Sequence, residues 1–324
     1  MKGVVVKSTG SWYDVKISPT QTLPQGEGLN TPQVYKVRLK GIFRLDESKD
    51  TNPIAVGDRV TITNDSSDEG GWVISEIEAR DNYIVRSSPK HKGARQILAA
   101  NIDQALLIVT MGNPRTSTGF IDRFLLTAEA YHIPTVIVFN KQDLLDVKGR
   151  KKQDYVAKIY QDIGYKTVFV SALQREHIDE VKALMKDKTS LISGHSGVGK
   201  STLMNAIQPQ LNLRTENISR ITGKGMHTTT FAEMHALDFG GNVIDTPGIR
   251  EFGIMDFKPE EISHYYVEMR EVLNDCKFNN CLHEHEPGCA VKKAYQEGRI
   301  TEERFSNYLN IMLEYKANYK HWEQ

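Results

Sequence analysis

The amino-acid sequence predicts three structural regions: one all-β, one α/β and one α-helical. Residues 1 to about 80 contain short β-rich runs separated by Gly, Pro, Asn, Asp and Ser. From about residue 100, short apolar runs alternate with segments of helical period, and after about residue 255 no strand pattern remains. Because single hydrophobic cores usually stop growing at about 250 residues, a chain of 324 residues fits this division. We expect domains at 1–80, 81–255 and 256–324.

The composition is typical of a globular protein without a membrane span. Hydrophobic residues make up 39% of the chain, charged residues make up 25%, and the formal net charge is zero. This balance argues against a protein that coats nucleic acid through bulk charge. The sequence contains no apolar run of about 18 residues, and the beginning turns polar too early for a signal peptide. We expect a cytoplasmic monomer that is not attached to a membrane.

The β-rich runs favour a small barrel or sandwich. They are KGVVVKSTGSWYDVKI, QVYKVRLKGIF, AVGDRVTIT and GGWVISEIEAR. Turn residues between the runs are typical of both folds, and the closest architecture is the five-stranded OB barrel, which commonly binds single-stranded RNA through aromatic and basic side chains. Trp12, Tyr13, Phe43 and Trp72 are candidates for such a platform, although aromatic residues in a small barrel more often belong to the core.

A basic stretch follows the barrel. Residues 80 to 95 include one acid, Asp81, and five basic residues: Arg80, Arg86, Lys90, Lys92 and Arg95. Two interpretations remain open at this point, a solvated linker and a strip that contacts phosphates.

The central apolar runs predict a parallel sheet covered on both faces. They are QALLIVT (104–110), TVIVFN (135–140), TVFVS (167–171), SLIS (190–193) and NVIDT (242–246). Helical segments such as GFIDRFLLTAEAY and HIDEVKALMK separate them. Ligands of such sheets bind at the carboxyl ends of the strands, where the motifs below occur.

A phosphate-binding loop follows SLIS and precedes a helical segment. It matches the P-loop pattern G-x-x-x-x-G-K-[ST] and consists, with the next residue, of Gly194, His195, Ser196, Gly197, Val198, Gly199, Lys200, Ser201 and Thr202. Its backbone N–H groups can surround phosphates, Lys200 can reach the β and γ phosphates, and the Ser201 hydroxyl can bind Mg²⁺.

A second motif closes a strand 44 residues after Ser201, at Asp245-Thr246-Pro247-Gly248. Asp245 can hold Mg²⁺ through water, and the Gly248 N–H can contact the γ phosphate. Such turns are common, so the P-loop upstream is what favours the functional interpretation.

A third motif, Asn140-Lys141-Gln142-Asp143, predicts guanine specificity. The Asp143 carboxylate can accept hydrogen bonds from guanine N1 and N2, where adenine offers no such donor pair. Lys141 would pack along the base, and Asn140 would brace the loop. Ser171 and Ala172, after their own strand, would supply small residues and backbone N–H groups near the guanine oxygen. A P-loop ATPase or small-molecule kinase is the alternative, and Asp143 disfavours it.

The order of these motifs predicts a circular permutation. The guanine loop precedes the P-loop by about fifty residues, whereas ordinary GTPases begin with the P-loop. Permutation joins the old termini and opens new ones without changing the site, and domain termini often lie close together. All of the motifs can therefore belong to one site.

Three cysteines and a histidine near the end predict a metal site. Cys276, Cys281, His283 and Cys289 offer three thiolates and one imidazole. A tetrahedral Zn²⁺ shell built from these four residues leaves no position for water, so the site would be structural. His285 is a competing ligand. The helical segments on either side, KPEEISHYYVEMREVLNDC and TEERFSNYLNIMLEYKANYKHWE, are too short to rely on a core of their own.

These motifs together resemble the ribosome small-subunit-dependent GTPase A (RsgA) family over essentially the whole chain. The resemblance implies an N-terminal all-β OB barrel, a central α/β P-loop GTPase domain that is circularly permuted, and a C-terminal small α-helical zinc-binding domain. It implies GTP hydrolysis, stimulated by the small ribosomal subunit and coupled to the late maturation of that subunit, with rRNA as a partner. The alternative is a non-enzymatic RNA-binding module that GTP regulates.

The resemblance also suggests how hydrolysis occurs. The glutamine that often positions water after a D-x-x-G motif is absent, since Ile249 follows Gly248. GKGMHTTTF, residues 223–231, resembles the switch-one loop of the family. We expect Thr229, among its three threonines, to contact Mg²⁺ and the γ phosphate. His227 is the candidate for positioning water, although a lone histidine in a polar loop is usually solvated.

Overall fold

The computed structural model describes seven ranges of the chain: 1–18, 32–39, 53–65, 71–87, 95–213, 232–245 and 257–319. The strands of these ranges are β1 (Lys2–Ser8), β2 (Tyr13–Ile17), β3 (Gln33–Leu39), β4 (Arg59–Asn64), β5 (Trp72–Ile77), β6 (Tyr83–Ser87), β7 (Arg95–Ala100), β8 (Gln104–Val109), β9 (Thr135–Phe139), β10 (Lys166–Phe169), β11 (Thr189–Ser193), β12 (Glu233–Ala236) and β13 (Asn242–Asp245). The α-helices are α1 (Thr118–Ala130), α2 (Val147–Asp162), α3 (Ile178–Met185), α4 (Lys200–Ile207), α5 (Val267–Arg270), α6 (Ala290–Gln296) and α7 (Glu302–Tyr319).

The chain divides into two compact units that combine segments distant in sequence. The first contains Met1–Ala105, Asp179–Ser193 and Ile207–Glu251, and the second contains Leu106–Ile178, Gly194–Ala206 and Phe252–Gln324. The domain boundaries expected at residues 80 and 255 stay predictions. No helix in the described ranges is both long enough and apolar enough to span a bilayer.

The first unit begins with a closed barrel. Its strand order is β1-β2-β3-β5-β4, and β4 pairs back onto β1. β3 and β5 are parallel, whereas the other pairs are antiparallel. This confirms the five-stranded barrel predicted from the β-rich runs.

Alternation along β2 separates the barrel core from its surface. Tyr13 is 2% exposed and belongs to the core, as the commoner interpretation of the aromatic residues predicts. The half-buried Trp12 lies under two cations, because Lys36 Nζ is 5.3 Å and Arg38 Cζ 4.1 Å from its ring centre. Trp72 packs against the edge of the core, and Phe43 lies outside the described residues.

The basic stretch after the barrel is not a plain linker. Arg80 forms a bidentate ion pair with Asp58, at 2.7 Å for each of the two bonds, and the Asp58 side chain has no solvent exposure. Arg80 is therefore structural. The hairpin β6–β7 was not predicted; β6 lies within the stretch, and β7 begins at its last residue, Arg95. Lys90 and Lys92 lie outside the described residues.

Three further strands of the first unit continue the sheet from β1, in the order β11-β13-β12-β1. β11 and β13 are parallel, and β12 is antiparallel to both of its neighbours. β12 was not recognised in the sequence. β13 ends at Asp245, one of the predicted site residues.

The second unit contains β10-β9-β8 in that order, with helices after each of β8 and β9. β9 is buried throughout and parallel to β10. Asn140 directly follows β9, and Ser171 comes two residues after β10. Guanine-loop residues therefore stand at carboxyl ends of parallel strands, as predicted.

The C-terminal helices share a hydrophobic core with α1. Leu126 of α1 packs in one cluster with Tyr266, Val291, Tyr308 and Met312. The segment expected to be helical over 258–276 forms only short turns: 3-10 helices at Pro259–Tyr265 and Leu273–Asp275, with α5 between them. Extended backbone at Tyr266 interrupts the helix, and the Tyr266 side chain is fully buried in the shared core.

Candidate nucleotide site and metal centre

Asn140 connects three segments at the end of β9. Its backbone N–H donates to the Val109 carbonyl at 2.8 Å, its Nδ2 donates to the Val198 carbonyl at 2.9 Å, and its Oδ1 accepts from the Ala172 N–H at 3.0 Å. The residue is 1% exposed. Both ends of its side-chain amide are bonded to protein, so Asn140 acts as the brace that the sequence predicts.

The P-loop lies so close to this brace that two of its glycines are required. A Cβ at Gly199 would lie 2.6 Å from Asn140 Nδ2, and a Cβ at Gly194 would lie 2.4 Å from the Ile108 carbonyl oxygen. Both residues also have positive φ angles, 94° and 143°. The close approach therefore holds the phosphate loop against β8 and the guanine loop.

Lys200, the first residue of α4, reaches back over this loop. Its Nζ donates to the carbonyls of Gly194 at 2.6 Å and His195 at 3.1 Å. The ammonium group thus lies at the open mouth of the loop, where a β or γ phosphate would replace carbonyl oxygens as its partner.

Asp143 is held by a neighbour from the following strand end. Ser171 Oγ donates to Asp143 Oδ1 at 2.5 Å and accepts from the Gln174 N–H at 3.1 Å. Asp143 Oδ2 has no hydrogen-bond partner among the described residues. Lys141, in the left-handed region with φ 66°, donates from Nζ to the Asn113 carbonyl at 3.0 Å. Burial lowers the pKa of Lys141, and Asp143 opposes this shift.

Gln142 attaches the guanine loop to α2. Its Nε2 donates to Gln153 Oε1 at 2.6 Å, and Gln153 Nε2 donates in return to Gln142 Oε1 at 3.0 Å. Gln153 is 2% exposed. The variable position of the motif is therefore structural here, which its pattern alone does not reveal.

His195 ties the P-loop to a segment that sequence analysis missed. Its Nε2 lies 2.7 Å from Thr116 Oγ1, its Nδ1 lies 3.1 Å from the Ser196 carbonyl, and Thr116 Oγ1 accepts from the Thr110 N–H at 3.0 Å. Burial lowers the pKa of His195, and the cations of Lys200 and Lys141 add to this effect. A neutral ring with its proton on Nδ1 satisfies every bond. The turn-rich stretch after β8, which contains Thr116, is the sequence signal that could have indicated this contact.

The other predicted site residues are less constrained or lie elsewhere. Ser196 and Gly197 are exposed, Val198 is fully buried, and Ser201 and Thr202 are half-buried at the start of α4. Asp245 belongs to the first unit. His227, Thr229 and Gly248 lie outside the described residues.

The predicted metal ligands meet in one cluster, in which Cys276 is half-buried and the other three residues are buried. The candidate ligand atoms of Cys276, Cys281, His283 and Cys289 all lie within 4.8 Å of one another. His283 Nδ1 is 3.8 Å from Cys276 Sγ and 3.3 Å from Cys289 Sγ. Ligand atoms around a tetrahedral Zn²⁺ ion are about 3.8 Å apart, since Zn–S bonds measure about 2.3 Å. The donor set fits zinc, and the competing His285 is exposed and outside the cluster.

The surrounding backbone supports metal-bound thiolates. The Ala290 N–H donates to Cys276 Sγ at 3.4 Å, and the Lys292 N–H donates to Cys289 Sγ at 3.3 Å. Burial lowers the pKa of His283 to about 4, so its imidazole is neutral and can donate a lone pair. Glu286 closes the loop by accepting backbone N–H groups from residues 282, 284 and 285.

Comparison with known proteins decides the family. The sequence-family model of the RsgA GTPase matches residues 77–255, and the sequence-family model of the RsgA N-terminal domain matches residues 2–73. The chain belongs to the RsgA family of GTPases.

Relatives of this family match the chain almost end to end. A small ribosomal subunit biogenesis GTPase RsgA from Phocaeicola vulgatus is 49% identical over 99% of both chains. One from Christiangramia forsetii is 46% identical over 99% of this chain and 98% of its own. Among solved structures, YjeQ from Thermotoga maritima has a TM-score of 0.74 at 36% identity, with 97% of each chain covered. YloQ, described as a circularly permuted GTPase, has a TM-score of 0.71 at 29% identity and covers 98% of this chain and 95% of its own. The similarity to YloQ confirms the circular permutation that the motif order predicts for this chain.

In this RsgA-family chain a buried ion network joins the C-terminal helices to α1. Arg304 donates to Asp122 Oδ1 at 2.6 Å and to both oxygens of Glu268 at 2.6 and 3.0 Å. Asn307 and Tyr160 donate to the same Asp122 carboxylate, at 2.6 and 2.8 Å. Asp122 and Arg304 are 0% and 2% exposed. Sequence analysis missed this network, because no local pattern connects residues 182 positions apart.

Proposed function

We propose that this chain hydrolyses GTP during late maturation of the small (30S) ribosomal subunit, and that the subunit stimulates the reaction. The observation that carries the proposal is the family membership, together with relatives that match 99% of this chain and are named as small ribosomal subunit biogenesis GTPases. Membership of a GTPase family favours an enzyme over a purely RNA-binding module.

The choice of GTP rests on Asp143. Its Oδ2 has no hydrogen-bond partner among the described residues, while Ser171 fixes the other oxygen at 2.5 Å. A carboxylate held in this way accepts from the N1 and N2 donors of guanine and repels the acceptor at N1 of adenine. Asn140, Lys141, Gln142, Ser171 and Ala172 are the proposed supports of the base.

Lys200 and the P-loop would hold the phosphates. The backbone N–H groups of the P-loop and the ammonium group of Lys200 would stabilise the negative charge that shifts during phosphoryl transfer. Ser201 and Asp245 would hold Mg²⁺, which would supply positive charge beside the β and γ phosphates. Gly248 and Thr229 would contact the γ phosphate, and His227 would position the attacking water in place of the absent glutamine.

The Cys276, Cys281, His283 and Cys289 cluster would hold one structural Zn²⁺. All four protein donors are used, so the ion would stabilise the C-terminal fold and take no part in hydrolysis. The 4.8 Å limit on the distances between the ligand atoms supports this proposal.

The barrel would contribute rRNA binding. Trp12 with Lys36 and Arg38 combines an aromatic face and two cations on the barrel surface. We propose that the protein acts as a monomer in the bacterial cytoplasm, where ribosomal subunits are assembled.

One assay tests the function. GTP and ATP hydrolysis is measured with the full-length protein, with and without purified small ribosomal subunits. We expect slow turnover of GTP alone, strong stimulation by subunits and negligible turnover of ATP. Absence of stimulation would refute the role at the subunit, and equal turnover of ATP would refute the assignment of Asp143.

A further inference from the structure

Helix α2 carries a row of cations that the nucleotide site does not use. Lys148, Lys151 and Lys152 are exposed and stand three and four positions apart, so they lie on one face of the helix. Tyr155, 56% exposed, continues the same face one turn further on. We call Lys148, Lys151, Lys152 and Tyr155 the lysine face.

The positive charge of α2 is concentrated near its beginning, whereas Lys158 further along the helix is paired with Asp162. The helix contains five cations and two carboxylates, the largest positive excess of any helix in the described ranges. None of the three lysines forms an ion pair within those ranges. The chain as a whole has zero net charge, so this helix is a local positive patch on a neutral protein.

Helix stability does not explain these positions. Lys148 lies in the first turn of α2, where the positive end of the helix dipole disfavours cations, and that turn contains no acid within the helix. Residues placed against the dipole lower the stability of a helix unless a partner compensates them. An external anion is such a partner.

The opposite face of α2 argues against an inserted membrane contact as that partner. Val156, Ala157 and Tyr160 are buried, and so is Gln153. A helix that lies on a bilayer must insert its apolar face between lipids, and the apolar face of α2 is already packed in the protein. A hydrated polyanion with regularly spaced charges, and bases that can stack on an exposed aromatic ring, fits a face of three lysines and one tyrosine.

We propose that the lysine face of α2 binds the phosphate backbone of RNA in the small ribosomal subunit. The inference rests on the proposed function, since it names a surface of this chain that contacts that partner. Lys148, Lys151 and Lys152 each neutralise a phosphate, and Tyr155 offers its ring while its hydroxyl is held by Glu303 at 2.5 Å.

The lysine face is fixed rigidly to the guanine loop. Asp146 caps α2 by accepting from the Gly149 N–H at 2.7 Å, and Gln153 exchanges two hydrogen bonds with Gln142. Only three residues separate Asp143 from the first residue of α2. RNA bound at the lysine face would therefore lie beside the nucleotide base, on the same rigid element.

The test combines Lys148→Gln, Lys151→Gln and Lys152→Gln in the full-length protein. Glutamine is a good helix former, and removal of cations from the positive end of α2 does not weaken the helix. A matched control combines Lys166→Gln, Lys186→Gln and Lys293→Gln, which removes the same charge from three exposed sites elsewhere. Hydrolysis of GTP without subunits should be unchanged in both variants.

Binding of small subunits is measured over a range of KCl concentrations. Each phosphate contact adds about one unit to the slope of log K against log salt, so the test variant should lose about three units of slope and bind at least about tenfold more weakly. It should need more subunits for half-maximal stimulation and reach the same maximal rate. The control should match the wild type.

Protein-free small-subunit rRNA is the second probe. The test variant should bind it more weakly, with the same loss of slope. Unchanged binding of both probes would overturn the inference. Weaker binding of subunits with unchanged binding of free rRNA would also overturn it, since the lysine face would then contact a ribosomal protein. If wild-type protein is not stimulated by subunits, the proposed function fails, and the free-rRNA comparison still decides whether the lysine face binds RNA.

Discussion

The side-chain amide of Asn140 donates to the carbonyl of Val198 at 2.9 Å, which joins the guanine loop to the P-loop. The same amide accepts from the Ala172 N–H at 3.0 Å. Recognition of the base and of the phosphates therefore depends on one buried side chain between two loops that are 58 residues apart.

Replacement of that side chain should weaken both binding and folding. Asn140→Ala leaves a buried carbonyl and a buried N–H unpaired, which costs about 2 kcal/mol of unfolding free energy. GTP affinity, measured by titration, should fall with it. Gln174→Ala, at an exposed position beside Ser171, is the control and should change neither quantity. Wild-type stability in Asn140→Ala would contradict the bracing role.

The Asp143 carboxylate should determine which base is bound. Asp143→Asn replaces an acceptor with an amide that can donate, so affinity for GTP should fall about a hundredfold, and xanthosine triphosphate, with an oxygen at position 2, should become the better ligand. Competition between the two nucleotides measures the change. Retained preference for GTP would show that other groups select the base.

Loss of Arg304 from its buried network should strongly destabilise the second unit. Arg304→Met leaves Asp122 and Glu268 buried without their cation, which should cost about 3–5 kcal/mol of unfolding free energy. Addition of Asp122→Asn and Glu268→Gln should recover part of that loss, because the unpaired charges are then removed. Arg299→Met breaks a pair with side chains 55% and 45% exposed and should cost at most about 1 kcal/mol. Equal effects of the two arginine substitutions would disprove the interpretation.

Metal removal should unfold the C-terminal turns. Metal analysis of the purified protein should give one zinc per chain, and Cys281→Ser should abolish it, while His285→Ala retains it. A chelator should lower helix content and the unfolding midpoint of the wild type. Full zinc content in Cys281→Ser would exclude this cluster as the site.

His195 should make stability depend on pH. Burial lowers the pKa of His195 in the folded protein below the unfolded value of about 6.5. The neutral ring therefore contributes its full stability above about pH 6.5, and this contribution is lost as the pH falls from there toward the lower pKa of the folded protein. Denaturant midpoints of the wild type and of His195→Gln, which does not titrate, should therefore converge or cross between pH 7.5 and pH 5.5 as the Thr116 bond breaks. Parallel curves for the two proteins would show that His195 does not titrate in this range.

The sequence predicts those parts of the structure that local chemistry determines. Glycines and Lys200 mark the P-loop because backbone must approach phosphate, Asn140 and Asp143 follow a buried strand, and cysteine spacing marks the metal cluster. Contacts between distant segments leave no such pattern. Thr116 beside His195, Gln153 beside Gln142 and Arg304 beside Asp122 are ordinary polar residues until the fold brings them together. The structural role of Arg80 in the basic stretch was not predicted for the same reason, because its partner Asp58 lies 22 residues earlier.

The pairing of Arg304 with Asp122 also has a consequence for the order in which the protein is made. Asp122 leaves the ribosome that synthesises it 182 residues before its arginine partner. Until α7 emerges, α1 has an uncompensated carboxylate and an uncovered apolar surface around Leu126. We therefore expect the hydrophobic cluster around Leu126 to complete its packing only after α7 has been synthesised.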